Sequence, residues 1–193
     1  VKLVQTESKE RIRKGACSSY LNYWLEPGQN INLSVIKNDQ FRLPTDESPV
    51  IMIAAGTGIA PFRAFLKKKE AGKFGGDCWL IFGERFREYD FFYQEEWEDW
   101  KKRKLLTRMD VAFSRDQKEK IYVQHKITKQ ETDFFDWLNR GAHIYICGSV
   151  KMGKDVKQTI QKIIKMRNAR NGSTIPLTWE KLVNKGRIHE DVY

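Results

Sequence analysis

The sequence predicts an α/β protein whose main part is a five-stranded parallel sheet with helices on both faces. Two observations carry this. From Val50 onward, strand-length runs rich in branched and aromatic residues recur near Val50–Ala55, Cys78–Gly83, Met109–Ser114, His143–Cys147 and Ile188–Val192. The stretches between them have helical spacing instead, clearest where Met152, Val156, Ile160, Ile163 and Ile164 recur on one face. Strands that alternate with helices in this way pair parallel, each helix being the crossover.

In chain order, residues 1–44 form a first segment and residues 45–193 a second. The first has a helix opening near Gly15-Ala16-Cys17-Ser18, a break at Pro27-Gly28 and a strand-like run Ile31–Ile36. Thr45-Asp46-Glu47-Ser48-Pro49 reads as the linker. Val50–Ala55 has the length and branching of a buried parallel strand. Gly56-Thr57-Gly58-Ile59-Ala60-Pro61 then turns the chain into a helix, with Pro61 at the first helical position, where no amide donor is needed. Trp97 and Trp100, with Phe92 and Tyr93, read as helix-to-sheet core. Lys67-Lys68-Lys69 and the lysines around Met152–Lys165 read as solvated faces. Asn168–Thr174 reads as a polar loop before a last helix near Thr178–Val183.

Three clusters carry chemistry. Ser114, Arg115, Lys120 and Tyr122 gather a hydroxyl, a guanidinium, an ammonium and a phenol where a strand ends. Arg115 can fork onto phosphate oxygens, Lys120 can add a point charge, and the Tyr122 ring can stack on adenine, which together suit the 2'-phosphate of NADPH. A charged surface loop is the alternative, and these residues alone do not decide between the two. Gly56, Thr57 and Gly58 can present free amides and a hydroxyl to a pyrophosphate, or merely connect two elements; the GxGxxG spacing is absent. Cys147 would lie at the carboxyl end of a parallel strand, where ligands of open α/β sheets collect, although a small buried hydrophobe is the commoner role of a free cysteine.

Taken in order, these clusters resemble the NADP-binding domain of the ferredoxin-NADP reductase superfamily, within it the diflavin reductases. The resemblance rests on GTGIAPFR at Gly56–Arg63, FGER at Phe82–Arg85, SRDQ with KxYVQ at Ser114–Gln124, YICG at Tyr145–Gly148, and the terminal Asp191-Val192-Tyr193. That DVY ending is more similar to sulfite reductase flavoproteins than to cytochrome P450 reductases. Gly15–Leu21 looks like the family's FAD-pyrophosphate segment and Phe41-Arg42-Leu43-Pro44 like the end of its flavin domain. The resemblance implies that residues 1–44 are the C-terminal remnant of an antiparallel β-barrel FAD domain, and that the chain opens in mid-domain at Val1-Lys2-Leu3-Val4. It also implies that residues 45–193 bind NADP.

By the same resemblance, Gly15, Ala16, Cys17 and Ser18 would contact FAD. Gly56, Thr57, Gly58, Arg85, Ser114, Arg115, Lys120, Tyr122, Gln124, Ser149, Met152 and Tyr193 would contact NADP(H). Cys147 and Asp191 would flank the nicotinamide during hydride transfer to FAD, with Tyr193 stacked on the flavin until nicotinamide displaces it. Electrons would leave singly through a flavodoxin-like FMN domain outside this chain to a haem or iron-sulfur acceptor, such as sulfite reductase haemoprotein. Two departures stand out: the family's Arg-x-Tyr-Ser flavin motif does not occur here, and Ser149-Val150-Lys151-Met152 is shorter than its counterpart and lacks the acid.

Composition excludes several classes. With 40% hydrophobic and 31% charged residues the chain is globular, and no apolar run approaches the roughly 20 residues of a spanning helix. Cys17, Cys78 and Cys147 form neither a CxxC pair nor a disulfide framework, which fits a reducing, cytoplasmic setting. His125, His143 and His189 have no metal-site spacing. The net charge of +10 raises nucleic-acid binding, but the basic residues share their helices with acids and no RNA-binding motif accompanies them. Nucleic acid is therefore not an expected partner. Those lysines could instead guide an acidic flavodoxin-like partner.

Overall fold

A computed structural model describes residues 3, 5–8, 11–171 and 176–193, in two compact units, Val1–Asn38 and Asp39–Tyr193. In the first unit, β1 (Gln5–Ser8) pairs antiparallel with β2 (Arg11–Lys14). Helix α1 (Ala16–Ser19) follows and continues as a π turn over Tyr20–Trp24, close to where a helix is expected. Ile31–Ile36, expected as a strand, is irregular, with Leu33, Val35 and Ile36 80%, 92% and 90% exposed. A branched run becomes a strand only when another strand accepts its hydrogen bonds, and none of the described residues pairs with this one.

The second unit starts at Asp39 rather than after Pro44. Phe41 and Leu43 are buried in its core, and Phe41 meets Tyr145 edge-on at 5.4 Å. From there the chain forms β3 (Val50–Ala55), a 3-10 turn at Gly56–Ile59, α2 (Ala60–Glu70), β4 (Cys78–Glu84), α3 (Arg87–Asp90), α4 (Gln94–Lys102) and β5 (Arg108–Phe113). Then come α5 (Val123–Lys129), α6 (Glu131–Asn139), β6 (His143–Gly148), α7 (Val150–Asn171), α8 (Trp179–Asn184) and β7 (Ile188–Val192). The sheet is five-stranded and parallel throughout, in the order β5-β4-β3-β6-β7, as expected.

Strand periodicity divides the apolar residues between two cores. Val50, Met52, Leu80, Phe82 and Tyr145 face Phe62, Leu66, Trp97 and Trp100 of α2 and α4. Ile51, Ile53, Trp79, Ile81, Ile144 and Ile146 face α5 to α8, including Val156, Ile160, Ile163 and Ile164. Burying each large side chain is worth about 1.5 to 3 kcal/mol, so both layers contribute heavily. Trp97 and Trp100 are core as expected; Tyr93 is not. It is exposed, in the left-handed region at φ 60°, with the Arg63 guanidinium 4.6 Å from its ring. Arg63 also holds Glu96 at 2.8 Å, tying α2 to α4.

Two further expectations change. Helix α7 runs on through Asn168–Asn171, where a loop was expected, and Asn168 Nδ2 donates to the Leu177 carbonyl at 2.5 Å. The rest of that expected loop, Gly172–Thr174, lies outside the described residues. Lys69 is half-buried rather than solvated, its ammonium 2.5 Å from the Gly76 carbonyl. Among the described residues no helix is long and apolar enough to cross a membrane.

Candidate functional site: the carboxyl edge of the parallel sheet

Strand order locates the site. From β3 the chain moves outward to β4 and β5, then returns to the other side of β3 and moves outward again through β6 and β7. Adjacent β3 and β6 therefore send their following helices, α2 and α7, to opposite faces, which opens a crevice beyond their carboxyl ends. The turn after β3 can lie on β6 only because two residues are glycine. Gly56 takes φ 60°. A side chain on Gly58 would run into the Cys147 carbonyl and come within 2.9 Å of the Gly148 nitrogen.

On the β4-β5 side, the ladder continues past the strand ends. The Ser114 amide donates to the Glu84 carbonyl and the Arg115 amide to the Arg85 carbonyl, both at 2.9 Å. This sets Arg85 and Arg115 side by side, both exposed. Gln117 Nε2 donates to the Phe113 and Glu119 carbonyls at 2.6 and 2.8 Å, which closes the loop. The Asp116 carboxylate accepts the Arg87 amide at 3.2 Å. Tyr122, 42% exposed, precedes α5, and its amide donates to His125 Nδ1 at 3.1 Å. Gln124 is half-buried in the first turn of that helix, and Lys120 is exposed in the loop. Two guanidiniums, an ammonium, a hydroxyl and a phenol at one edge fit a phosphate ester bearing an aromatic base.

On the β6-β7 side, Cys147 has Ala54 and Asp191 as strand neighbours and is 2% exposed, within the core under the glycine turn. Burial, with Asp191 adding to it, pushes its thiol up to about 11, so it stays protonated at neutral pH. Asp191 is exposed. Ser149 Oγ accepts the Met152 amide at 3.2 Å and so starts α7. Tyr193 donates its amide to Gly148 at 3.0 Å and accepts from the Val150 amide at 3.2 Å. Its hydroxyl lies 2.6 Å from Thr57 Oγ1.

The residues expected at NADP thus lie at the strand ends, in the turns that follow them or, for Gln124 and Met152, in the first turn of the next helix. Gly15, Ala16, Cys17 and Ser18 belong to the other unit: Gly15 is extended before α1, Ser18 Oγ donates to the Gly15 carbonyl at 3.1 Å, and Cys17 is exposed. Sequence reasoning missed Glu84, a carboxylate only 7% exposed at the end of β4 that accepts the Arg85 amide at 2.9 Å. It also left Asp116 and Gln117 without roles. A signal existed for Gln117, an amide side chain two residues past an arginine where a tight loop must close. None existed for the Thr57–Tyr193 bond. Among the described residues no group of metal-ligating side chains is present.

Residues 52–158 match the family described as Oxidoreductase NAD-binding domain. Over 195 residues the chain is 44% identical to the sulfite reductase [NADPH] flavoprotein alpha-component of Cronobacter sakazakii, covering 100% of this chain and 32% of that protein. It is 40% identical to the corresponding Bacillus subtilis protein, covering 98% and 32%, and 40% identical to that of Photobacterium profundum, covering 100% and 32%. The chain spans about a third of the length of these relatives. With that match and a crevice formed where the strand order of its parallel sheet reverses, the chain belongs to the oxidoreductase NAD-binding domain family.

Proposed function

We propose that residues 45–193 bind NADP(H) for an NADPH-dependent flavoprotein oxidoreductase. The observation that carries this is the pair Arg85 and Arg115, joined main chain to main chain beside Ser114 and exposed at the strand ends. Ser114, Arg115, Lys120 and Tyr122 hold the 2'-phosphate and the adenine. The Gly56–Gly58 turn offers main-chain amides to the pyrophosphate, and Gln124 and Met152 line the same edge. Cys147 and Asp191 stand at the nicotinamide end, Cys147 as a neutral thiol and Asp191 as the carboxylate one strand away. When bound, NADPH supplies a hydride and FAD accepts it; the protein contributes position and electrostatics.

The wider reading follows the relatives' printed name. Residues 1–44, through Gly15–Ser18, contribute to an FAD site in a barrel domain. Electrons pass to a flavodoxin-like FMN domain and then to a haem or iron-sulfur acceptor, most simply a sulfite reductase haemoprotein, in a cytoplasmic setting. Binding to immobilised 2',5'-ADP tests the nucleotide part: release by NADP at constant ionic strength supports it, and release by salt alone points to a basic-surface binder. Sulfide formation from sulfite, with NADPH as the electron donor, by the whole protein mixed with sulfite reductase haemoprotein tests the acceptor. Flavin reduction without sulfide would remove that acceptor.

A further inference from the structure

We propose that Glu84 is a positioning residue for the Gly56–Gly58 turn, and that its negative charge beside that turn limits how tightly a pyrophosphate is held; this rests on reading the carboxyl edge as a nucleotide site. Among the described residues no other acidic or basic side chain is as buried, with 7% exposed. Glu84 ends β4, one step past the last β3 pair, Ala55 with Gly83, and opposite Phe113 of β5. Strand alternation turns it the same way as Phe82, away from the face where a side chain on Gly83 would meet Val123. Three contacts then place it. Its Oε2 accepts the Arg85 amide and its carbonyl accepts the Ser114 amide, both at 2.9 Å. Its Oε1 lies 3.3 Å from the point that a Cβ on Gly56 would occupy.

One residue thus joins the glycine turn, Arg85 and the start of the Ser114–Tyr122 loop. Stability alone does not call for a carboxylate in this place. Phe82 and Phe113 point to the same face, burying a charge costs free energy, and a neutral amide of the same shape would accept the Arg85 amide equally well. The charge acts on the ligand instead. Arg85 and Arg115, both exposed, attract a phosphate from outside, and Glu84 opposes them from beneath the turn. A like charge near a bound phosphate lowers affinity by about 2- to 20-fold when the surrounding medium is protein and water together. Because Glu84 is buried, salt screens it less than it screens the two guanidiniums. The site therefore collects nucleotide through its exposed cations and still lets it leave.

Calorimetric titration of Glu84→Gln with NADP, NAD and 2'-AMP tests this. Glutamine keeps an acceptor for the Arg85 amide and the bulk beside Gly56, and it removes the charge. NADP and NAD both carry the pyrophosphate, so both should tighten by the same factor of about 2 to 20. The 2'-AMP probe lacks the pyrophosphate and should keep its affinity. Glu84→Asp retains the charge and should tighten neither dinucleotide. Unfolding of Glu84→Gln in urea should occur at the wild-type midpoint or above it. Unchanged or weaker dinucleotide binding in Glu84→Gln, tightening of 2'-AMP by the same factor, or a lower urea midpoint overturns the role of the charge. A wild-type chain that binds none of the three probes overturns the nucleotide reading itself, which separates the two failures.

Discussion

The two ends of the parallel sheet are made differently. At the carboxyl end the strands stop in glycine turns and a charged loop, and Arg85, Arg115, Lys120, Asp191 and Tyr193 are all exposed. At the amino end the segment Asp39–Pro44 packs against the sheet. Phe41 and Leu43 are buried, the Tyr145 hydroxyl donates to the Arg42 carbonyl, and His189 stacks on Tyr145 with ring centroids 4.3 Å apart. His189 Nδ1 lies 2.7 Å from the Gln40 carbonyl and its Nε2 lies 3.0 Å from His143 Nδ1. Tyr145, His143 and His189 thus each have a polar partner inside the fold. The carboxyl end keeps donors turned outward instead, which suits a ligand and contributes little to stability.

The contrast can be broken from either end. The largest effect is expected at the amino end: Phe41→Ala removes a ring that touches Phe62, Phe65 and Tyr145 and should cost about 3 to 5 kcal/mol in denaturant unfolding. NADP affinity of the remaining folded protein should hold. A loss below about 1 kcal/mol would show that the segment is not part of the core.

At the open end, Arg115→Ala should leave unfolding almost unchanged and weaken NADP binding by about 10- to 150-fold, the value of one charged hydrogen bond to phosphate. NAD binding should barely move. Equal losses for both nucleotides would remove the 2'-phosphate from Arg115. Gln117→Ala should act more weakly, by about 0.5 to 1.5 kcal/mol in NADP binding, because it loosens the loop rather than the contact. No change there would mean that the loop holds its shape without the amide.

The gentlest test is pH. Burial holds the His143 imidazole below its usual range, with His189 and Arg187 adding to it and Asp46 opposing. Burial does the same to His189, against its bond to the Gln40 carbonyl. The unfolded chain then takes up protons first as pH drops below about 6.5. The stability of the neutral pair is complete above that value and lost as pH falls through the lowered folded values. Thermal midpoints should decline as pH falls below about 6.5, and the decline should flatten in His143→Gln/His189→Gln. An unchanged slope in that variant would place the titration elsewhere.

Much of the carboxyl edge was legible because its signals are local. A buried strand covered on both faces needs a continuous apolar run, so Val50–Ala55 and His143–Cys147 declared themselves, and a turn that must take a left-handed residue needs Gly56. Ser114, Arg115, Lys120 and Tyr122 sit within one loop, so their association needed no folding to be read. The amino end was illegible for the opposite reason. Asp39–Pro44 carries no periodicity, and its place is set by contacts with Tyr145 and His189, about a hundred residues or more further along the chain.

The sequence by itself determined the elements, their parallel pairing and the residue types at the strand ends, because periodicity and turn chemistry act over a few residues. Tertiary structure alone decided which strands are neighbours, and hence that the β3 turn rests on Cys147. It decided that Ile31–Ile36 has no strand to pair with among the described residues, and that α7 continues to Asn171. It also brought Thr57 to Tyr193 across 136 positions of chain. Such contacts form only after the entropy of closing long loops has been offset by burial of both cores, and no local pattern encodes that sum.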